Sequence, residues 1–148
     1  MIVAERATLD DVLRIAVLAH RGKRDKGGAP YILHPLRLLL RMQTEAEMMA
    51  GVLHDVVEDS DWTLDQLRAE GIPAEVIDAI DHLTRREREG YEDFIARVGA
   101  NPLARRVKLA DLEDNLNLLR LPSLDAHDLT RLQRYLAARR TLLEAERA

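Results

Sequence analysis

Apolar residues in this chain return every three to four positions and show no sustained alternation. The sequence therefore specifies helices and offers nothing from which to build a sheet. Start and stop signals agree with that period. Thr8 can cap a first helix with Asp11 as its capping-box partner, and Leu9, Val12, Leu13, Ala16 and Ala19 then form a stripe ending near His20. The loop 22–30 interrupts. Leu36, Leu39 and Leu40 predict a short second helix beginning just after His34, and a central helix is expected over about 45–57. Thr63 with Gln66 opens a helix that Gly71 closes, and Pro73 suits the first turn of the next. Gly90 and Gly99 bracket a short helix, and Asn101-Pro102 starts one expected to run to about residue 119. After the break at Leu121-Pro122-Ser123, Asp125 caps a terminal packing helix over about 125–147, with Leu129, Leu132, Leu136 and Leu143 on its apolar side. The fold class is all-α.

With 148 residues there is room for one sizeable core, so a single domain over 1–148 is expected. Apolar residues at 47% and charged ones at 32% suit a globular chain rather than a disordered one. Aromatics at 3% argue against a base-stacking platform, and a net charge of -4 gives no field to draw in nucleic acid or anionic lipid. Partners of those two kinds are not expected. Any phosphorylated substrate must be held locally. The absence of cysteine leaves oxygen and imidazole as the strong metal ligands. MIVAERATLDD carries acids early, unlike a secretory signal, and no stretch approaches the roughly 20 apolar residues that span a bilayer. A cytoplasmic protein is expected.

Three polar constellations stand out against this pattern. In GVLHDVVEDS, a continuous helix would place His54, Asp55, Glu58 and Asp59 within one arc of roughly 140°, with Leu53, Val56 and Val57 on the other side. Gly51 falls in the polar arc, where it would let another group approach the backbone. Three carboxylates beside an imidazole repel one another unless a cation or a proton intervenes. A solvated acidic helix end has the same composition, but the adjacent His-Asp pair following apolar residues points to a metal site. In VKLADLEDN, the stripe Val107, Asp111, Asn115, Leu118 turns a carboxylate and an amide inward. Asp111 then needs a metal, several donors or an arginine from another helix. In PYILHP, His34 is fixed ahead of a proline. Together His34, His54, Asp55 and Asp111 supply two nitrogens and two oxygens. That set can hold one divalent ion, with Fe, Ni, Co and Zn among those its donors suit, and with positions left for water.

These residues, in the order H...HD...D, resemble the HD-domain metal-dependent phosphohydrolases. The flanking text is more specific: Ala19-His20, GGAPYILHP, VLHDVVED, LTR at 83–85 and VKLADLEDN look like the hydrolase domain of the RelA/SpoT-homologue alarmone enzymes, over about 9–119. The resemblance implies a single HD-domain helical bundle binding one Mn²⁺ through His34, His54, Asp55 and Asp111. It also implies removal of the 3′-pyrophosphate from guanosine tetra- or pentaphosphate (ppGpp/pppGpp). Glu58 and Asp59 match the acidic pair of the hydrolysing members, and Asn115 matches an asparagine near metal and substrate. Since 148 residues are too few for synthetase and regulatory domains as well, the small hydrolase-only members are the expected type.

One departure limits the transfer. The long enzymes usually carry an arginine, a small residue and a glycine ahead of PYI, whereas this chain has Arg24-Asp25-Lys26, so base and phosphate contacts do not carry over one for one. From chemistry alone, Glu58 could orient or deprotonate a water, with Asp59 in support. Lys23, Arg24 and Lys26 ahead of Gly27-Gly28 could cradle a phosphate or simply be solvated, and no Gly-Lys-Ser/Thr follows to make a P-loop. Arg85, Arg86 and Arg88 read as a solvated helix end, with Arg85 the one candidate substrate contact among them. His20 reads as a packed structural residue, and His82 and His127 as surface. Two other functions share the same metal residues: an HD phosphatase acting on another nucleotide or a phosphorylated dinucleotide cofactor, and a non-catalytic nucleotide-binding HD module. The terminal helix leaves a homo-oligomer open.

Overall fold

Where a capping residue precedes an apolar stripe in the sequence, a helix begins in the computed structural model, which describes residues 5–148. In chain order these are α1 (Leu9–Ala19), α2 (Leu33–Arg41), α3 (Glu45–Leu53), α4 (Val56–Asp59), α5 (Leu64–Ala69), α6 (Ala74–Leu83), α7 (Tyr91–Gly99), α8 (Pro102–Asn115) and α9 (Ala126–Arg147), with a 3-10 turn at Leu118–Arg120. Thr8, Thr44, Thr63 and Asp125 each close a full capping box. Each such cap stabilises its helix by about 1 kcal/mol. Among the described residues the extended backbone pairs only at an isolated bridge between Arg24 and Pro30, inside the loop before α2. The fold is all-α.

The middle of the bundle is α3, apolar around most of its circumference, with Met49, Ala50, Gly51, Val52 and Leu53 buried. It packs on α1 and α2 on one side and on α6 and α8 on the other. From α8 come Ala104, Val107, Ala110 and Leu112, and one contiguous core runs from Ala7 to Leu142. Fully burying a leucine such as Leu112 contributes about 1.5–3 kcal/mol. No helix among the described residues is long and apolar enough to cross a membrane.

Several boundaries differ from the sequence expectation. The helix expected over about 45–57 is broken: α3 stops at Leu53, and Asp55 sits at φ -120, ψ 8 before α4 restarts. His54 Nδ1 donates to the Gly51 carbonyl at 2.8 Å, taking the acceptor that the Asp55 N–H would need to continue the helix. His54 and Asp55 therefore project from a corner, not from a continuous wheel. Gly51 faces α2 rather than the polar side, where a Cβ would lie 3.5 Å from the Leu39 nitrogen. His34 is already the second residue of α2, because the turn from Pro30 is helical before it. Pro73 precedes α6 as its cap residue instead of lying in its first turn.

At the other end, α8 stops at Asn115, since the Asn117 side chain accepts from the Leu119 N–H and opens the 3-10 turn. Leu118 is consequently 42% exposed instead of inward. On α9 the buried stripe is Asp128, Leu132, Ala138 and Leu142, whereas Leu129 and Leu136 are more than half exposed. Asp128, held by Lys26 and Arg131, turns that face towards the loop before α2.

Candidate metal centre

Three segments deliver the candidate ligands to one point. The first turn of α2 brings His34, the corner between α3 and α4 brings His54 and Asp55, and the C-terminal half of α8 brings Asp111. All four are buried. His34 Nε2 lies 3.0 Å from Asp111 Oδ1, and His54 Nε2 lies 3.6 Å from the same oxygen. One donor atom each from His34, His54 and Asp111 fall within 4.8 Å of one another, a group that could hold a metal ion. Asp55 stands beside them, with Oδ2 3.6 Å from His54 Nε2. Its two oxygens have other neighbours: Oδ2 accepts from the Tyr31 hydroxyl, and Oδ1 lies 3.2 Å from His20 Nε2.

Both imidazoles are turned the same way. The Nδ1 of His54 faces the Gly51 carbonyl and that of His34 faces Asp114 Oδ2 at 2.6 Å, so each Nε2 points at the carboxylates. In the metal-free protein this cage attracts protons. Burial alone would lower the His54 pKa, but Asp55 and Asp111 outweigh it and raise it to about 9. His34 is raised too: against its burial stand hydrogen bonds to Asp111 and Asp114. Burial would raise Asp111, yet Lys108 and the two histidines hold it well below the usual carboxylate range. The partner of Asp111 is not an arginine from another helix. Lys108, one turn earlier on α8, donates to Oδ2 at 2.8 Å, and Asn115 donates to Oδ1 at 2.9 Å. Two imidazoles and two carboxylates that collect positive charge are a fitting donor set for a divalent transition metal.

A cavity of about 160 Å³ opens over these groups and is also lined by Tyr31, Glu58, Asp59, Lys108 and Asn115. Glu58 accepts from the Arg85 backbone N–H at 2.5 Å, and burial lifts its pKa above the ordinary glutamate value. Burial does the same for Asp59, with the charge on Asp55 adding to it. Lys23 donates to the Asp59 carbonyl.

Beyond Tyr31 and Asn115, which wall both spaces, lies a second cavity of about 280 Å³ lined by the loop 24–27, Arg120, Arg131 and Tyr135. Arg24 donates to the Gly28 carbonyl at 2.9 Å, and Lys26 pairs with Asp128 at 3.1 Å. Asp25 holds the loop: its Oδ1 accepts from the Ala29 N–H at 2.9 Å and its Oδ2 lies 3.3 Å from Arg120. The Arg85 guanidinium donates to the Glu89 carbonyl and lines neither cavity, so only the backbone of Arg85 reaches the site. His127 is exposed and His82 half-buried.

Sequence reasoning passed over Tyr31, Lys108 and Asp114, and it gave His20 no part in the site. The available signal was spacing. Lys108, Asp111 and Asp114 recur every third residue of one helix, as do His34 and Arg37 on another, and such residues share a face.

A comparison with protein-family models returns no match. Among curated proteins, the GTP pyrophosphokinase of Streptomyces coelicolor is 30% identical over 131 residues, which cover 78% of this chain and 16% of that protein. The guanosine-3′,5′-bis(diphosphate) 3′-pyrophosphohydrolase of Haemophilus influenzae is 34% identical over 71% of this chain and 18% of that protein. The enzyme of the same name from Vibrio cholerae is 33% identical over 68% of this chain and 16% of that protein. The chain thus spans about one sixth of the length of the curated relatives it matches. A solved structure described as a metazoan ortholog of SpoT that hydrolyzes ppGpp superposes with a TM-score of 0.73 at 22% identity, covering 97% of this chain and 88% of that one. The shared fold is therefore nearly complete.

Proposed function

From a chain that is a relative of the RelA/SpoT-homologue alarmone enzymes in the part resembling their HD hydrolase domain, we propose a metal-dependent hydrolase that removes the 3′-pyrophosphate of guanosine tetra- or pentaphosphate. The observation that carries this reading is the buried group His34, His54 and Asp111, facing Glu58 and Asp59 across a cavity open to substrate. We read residues 1–148 as one domain acting on a small-molecule nucleotide in the cytoplasm.

Residues His34, His54, Asp55 and Asp111 would hold the ion, and Mn²⁺ is the one that the resemblance to the alarmone hydrolases implies. Such an ion supplies Lewis acidity, acidifying water and neutralising charge on a phosphoryl oxygen. Glu58 then orients the attacking water and takes its proton. Its burial suits that task, because a carboxylate with a raised pKa is a stronger base. Asp59, on the same rim, supports Glu58 in placing the water. Asn115 both holds Asp111 and walls the second cavity, so it can touch substrate where the two spaces meet. The loop residues Lys23, Arg24 and Lys26 flank that junction. Lys26, Arg120 and Arg131 already have carboxylate partners, whereas Arg24, the fourth cation of the second cavity, has none among the described residues. This arrangement suits a nucleoside with a single charged contact at Arg24, the phosphates lying towards the metal and Lys23. The Arg85 side chain would contact substrate only after leaving the Glu89 carbonyl.

Incubating the Mn²⁺-loaded protein with a panel of phosphorylated nucleotides tests the proposal. Pyrophosphate released from guanosine tetraphosphate supports it. Orthophosphate released from another nucleotide would instead favour an HD phosphatase of different specificity, and binding without turnover would favour a non-catalytic module.

A further inference from the structure

The buried acid Asp114 belongs to neither cavity, yet it is among the most heavily engaged groups in the protein. His34 Nδ1 lies 2.6 Å from its Oδ2. Arg37 grips both oxygens, Nε to Oδ1 at 2.8 Å and Nη2 to Oδ2 at 2.9 Å, a fork that fixes the plane of the carboxylate. Arg120 closes the other side, donating to the Asp114 backbone carbonyl at 2.8 Å with its guanidinium 3.7 Å from Oδ2. These contacts hold the Asp114 carboxyl below its ordinary pKa, its burial notwithstanding.

An interhelix ion pair needs only Arg37 and Asp114. It does not need a histidine on the same oxygen with the opposite nitrogen of that ring aimed at Asp111, 3.0 Å away. A ring held at Nδ1 by a fixed carboxylate keeps its proton there, presents the Nε2 lone pair to a metal, and cannot rotate. We propose that Asp114, aligned by Arg37, is a positioning residue that sets the tautomer and orientation of His34 for a divalent ion. This rests on the reading above that His34 is a ligand. The spacing of three on both helices makes the device compact: α8 offers Asp111 and Asp114 to the two nitrogens of one ring, and α2 offers that ring together with the arginine that holds the second acid.

Calorimetric titration of the full chain with Mn²⁺ tests it, alongside melting temperatures in chelator. Asp114→Ala is expected to weaken Mn²⁺ binding by about 10–100-fold. Asp114→Asn keeps an acceptor for Nδ1 and should lose less. Arg37→Met leaves the carboxylate but frees its plane; it is expected to lose affinity several-fold even if Asp114→Ala does not fold. In the zinc-loaded, histidine-labelled protein, ¹⁵N NMR should show the proton of His34 on Nδ1. Wild-type affinity in folded Asp114→Ala or in Arg37→Met, or a zinc-loaded His34 coordinated through Nδ1, overturns the assignment alone. A wild-type chain that binds neither ion overturns the metal reading and this assignment together.

Discussion

The backbone N–H of Arg85 donates to Glu58 Oε1 at 2.5 Å, while Glu58 Oε2 has no hydrogen-bond partner among the described residues. One oxygen is anchored by the loop after α6 and the other is left for water. Glu58→Gln preserves size and the Arg85 contact but removes the proposed base, so Mn²⁺ affinity should stay near wild type while turnover falls about 10²–10⁴-fold. Initial rates and a metal titration on the same preparation check this, and a fully active variant would rule out the role. Because burial raises the Glu58 pKa and a base works only when ionised, the acid limb of the wild-type rate profile should lie above the ordinary glutamate value and vanish in the variant.

That anchoring loop depends on Arg97. Its guanidinium donates to the carbonyls of Asp81, His82 and Thr84 and to both oxygens of Glu89, tying 81–89 to α7. Arg97→Leu should lower kcat about tenfold, about 1.4 kcal/mol at the barrier, with metal affinity kept, because Glu58 loses its orientation while the ligands do not move. Hydrogen bonds from Arg97 lower the Glu89 pKa to about 2. A folded pKa below the unfolded one gives stability that is complete above the ordinary glutamate value and is lost as pH falls towards 2. Acid unfolding of wild type should therefore include a component over that window that Glu89→Gln lacks.

Helix starts at Thr8, Thr63, Asn101 and Asp125 are legible in the sequence because a cap needs only its own next few residues. The corner at His54 is not legible. It arises from one side chain choosing the Gly51 carbonyl over the backbone ladder, and a wheel drawn through 51–60 assumes that ladder intact. Spacing puts Asp114 on the same face of α8 as Asp111, but its partners His34 and Arg37 lie about 80 positions away, and nothing in the local sequence pairs them with it. Nor does the apolar side of α9 follow from its leucines, because Asp128 and its two cations choose which face turns inward.

Protons and the proposed metal would compete for the same cage. With its pKa raised to about 9, His54 in the metal-free protein gives stability that is complete below the ordinary histidine value of 6.5 and is lost as pH rises through about 9. A bound ion replaces that charge without titrating away. The rise in melting temperature caused by Mn²⁺ should therefore grow from pH 6.5 to 9. At a hundredfold excess over Kd the stabilisation is about 2.7 kcal/mol, or roughly 5–10 °C for a chain of this length. Thermal melts at several pH values with and without Mn²⁺ measure it, and Asp55→Ala should show little or no shift.

Gly27 sits where a side chain cannot: a Cβ there would lie 2.5 Å from the Arg120 carbonyl oxygen, a backbone atom that cannot swing away. Gly27→Ala must therefore push the loop 24–27 off the 3-10 turn, widening the second cavity and straining the contact between Asp25 and Arg120. The proposed metal ligands lie across Tyr31 and Asn115 from this displacement and are set by α2, α3 and α8, so Mn²⁺ affinity should not change. If the loop and the turn together hold the nucleoside of the proposed substrate, its KM should rise about tenfold, equivalent to about 1.4 kcal/mol of lost binding, while kcat stays within a factor of a few. Steady-state kinetics separate the two constants. A fall confined to kcat would move the nucleoside out of this cavity and place the loop's effect on the reacting phosphates instead.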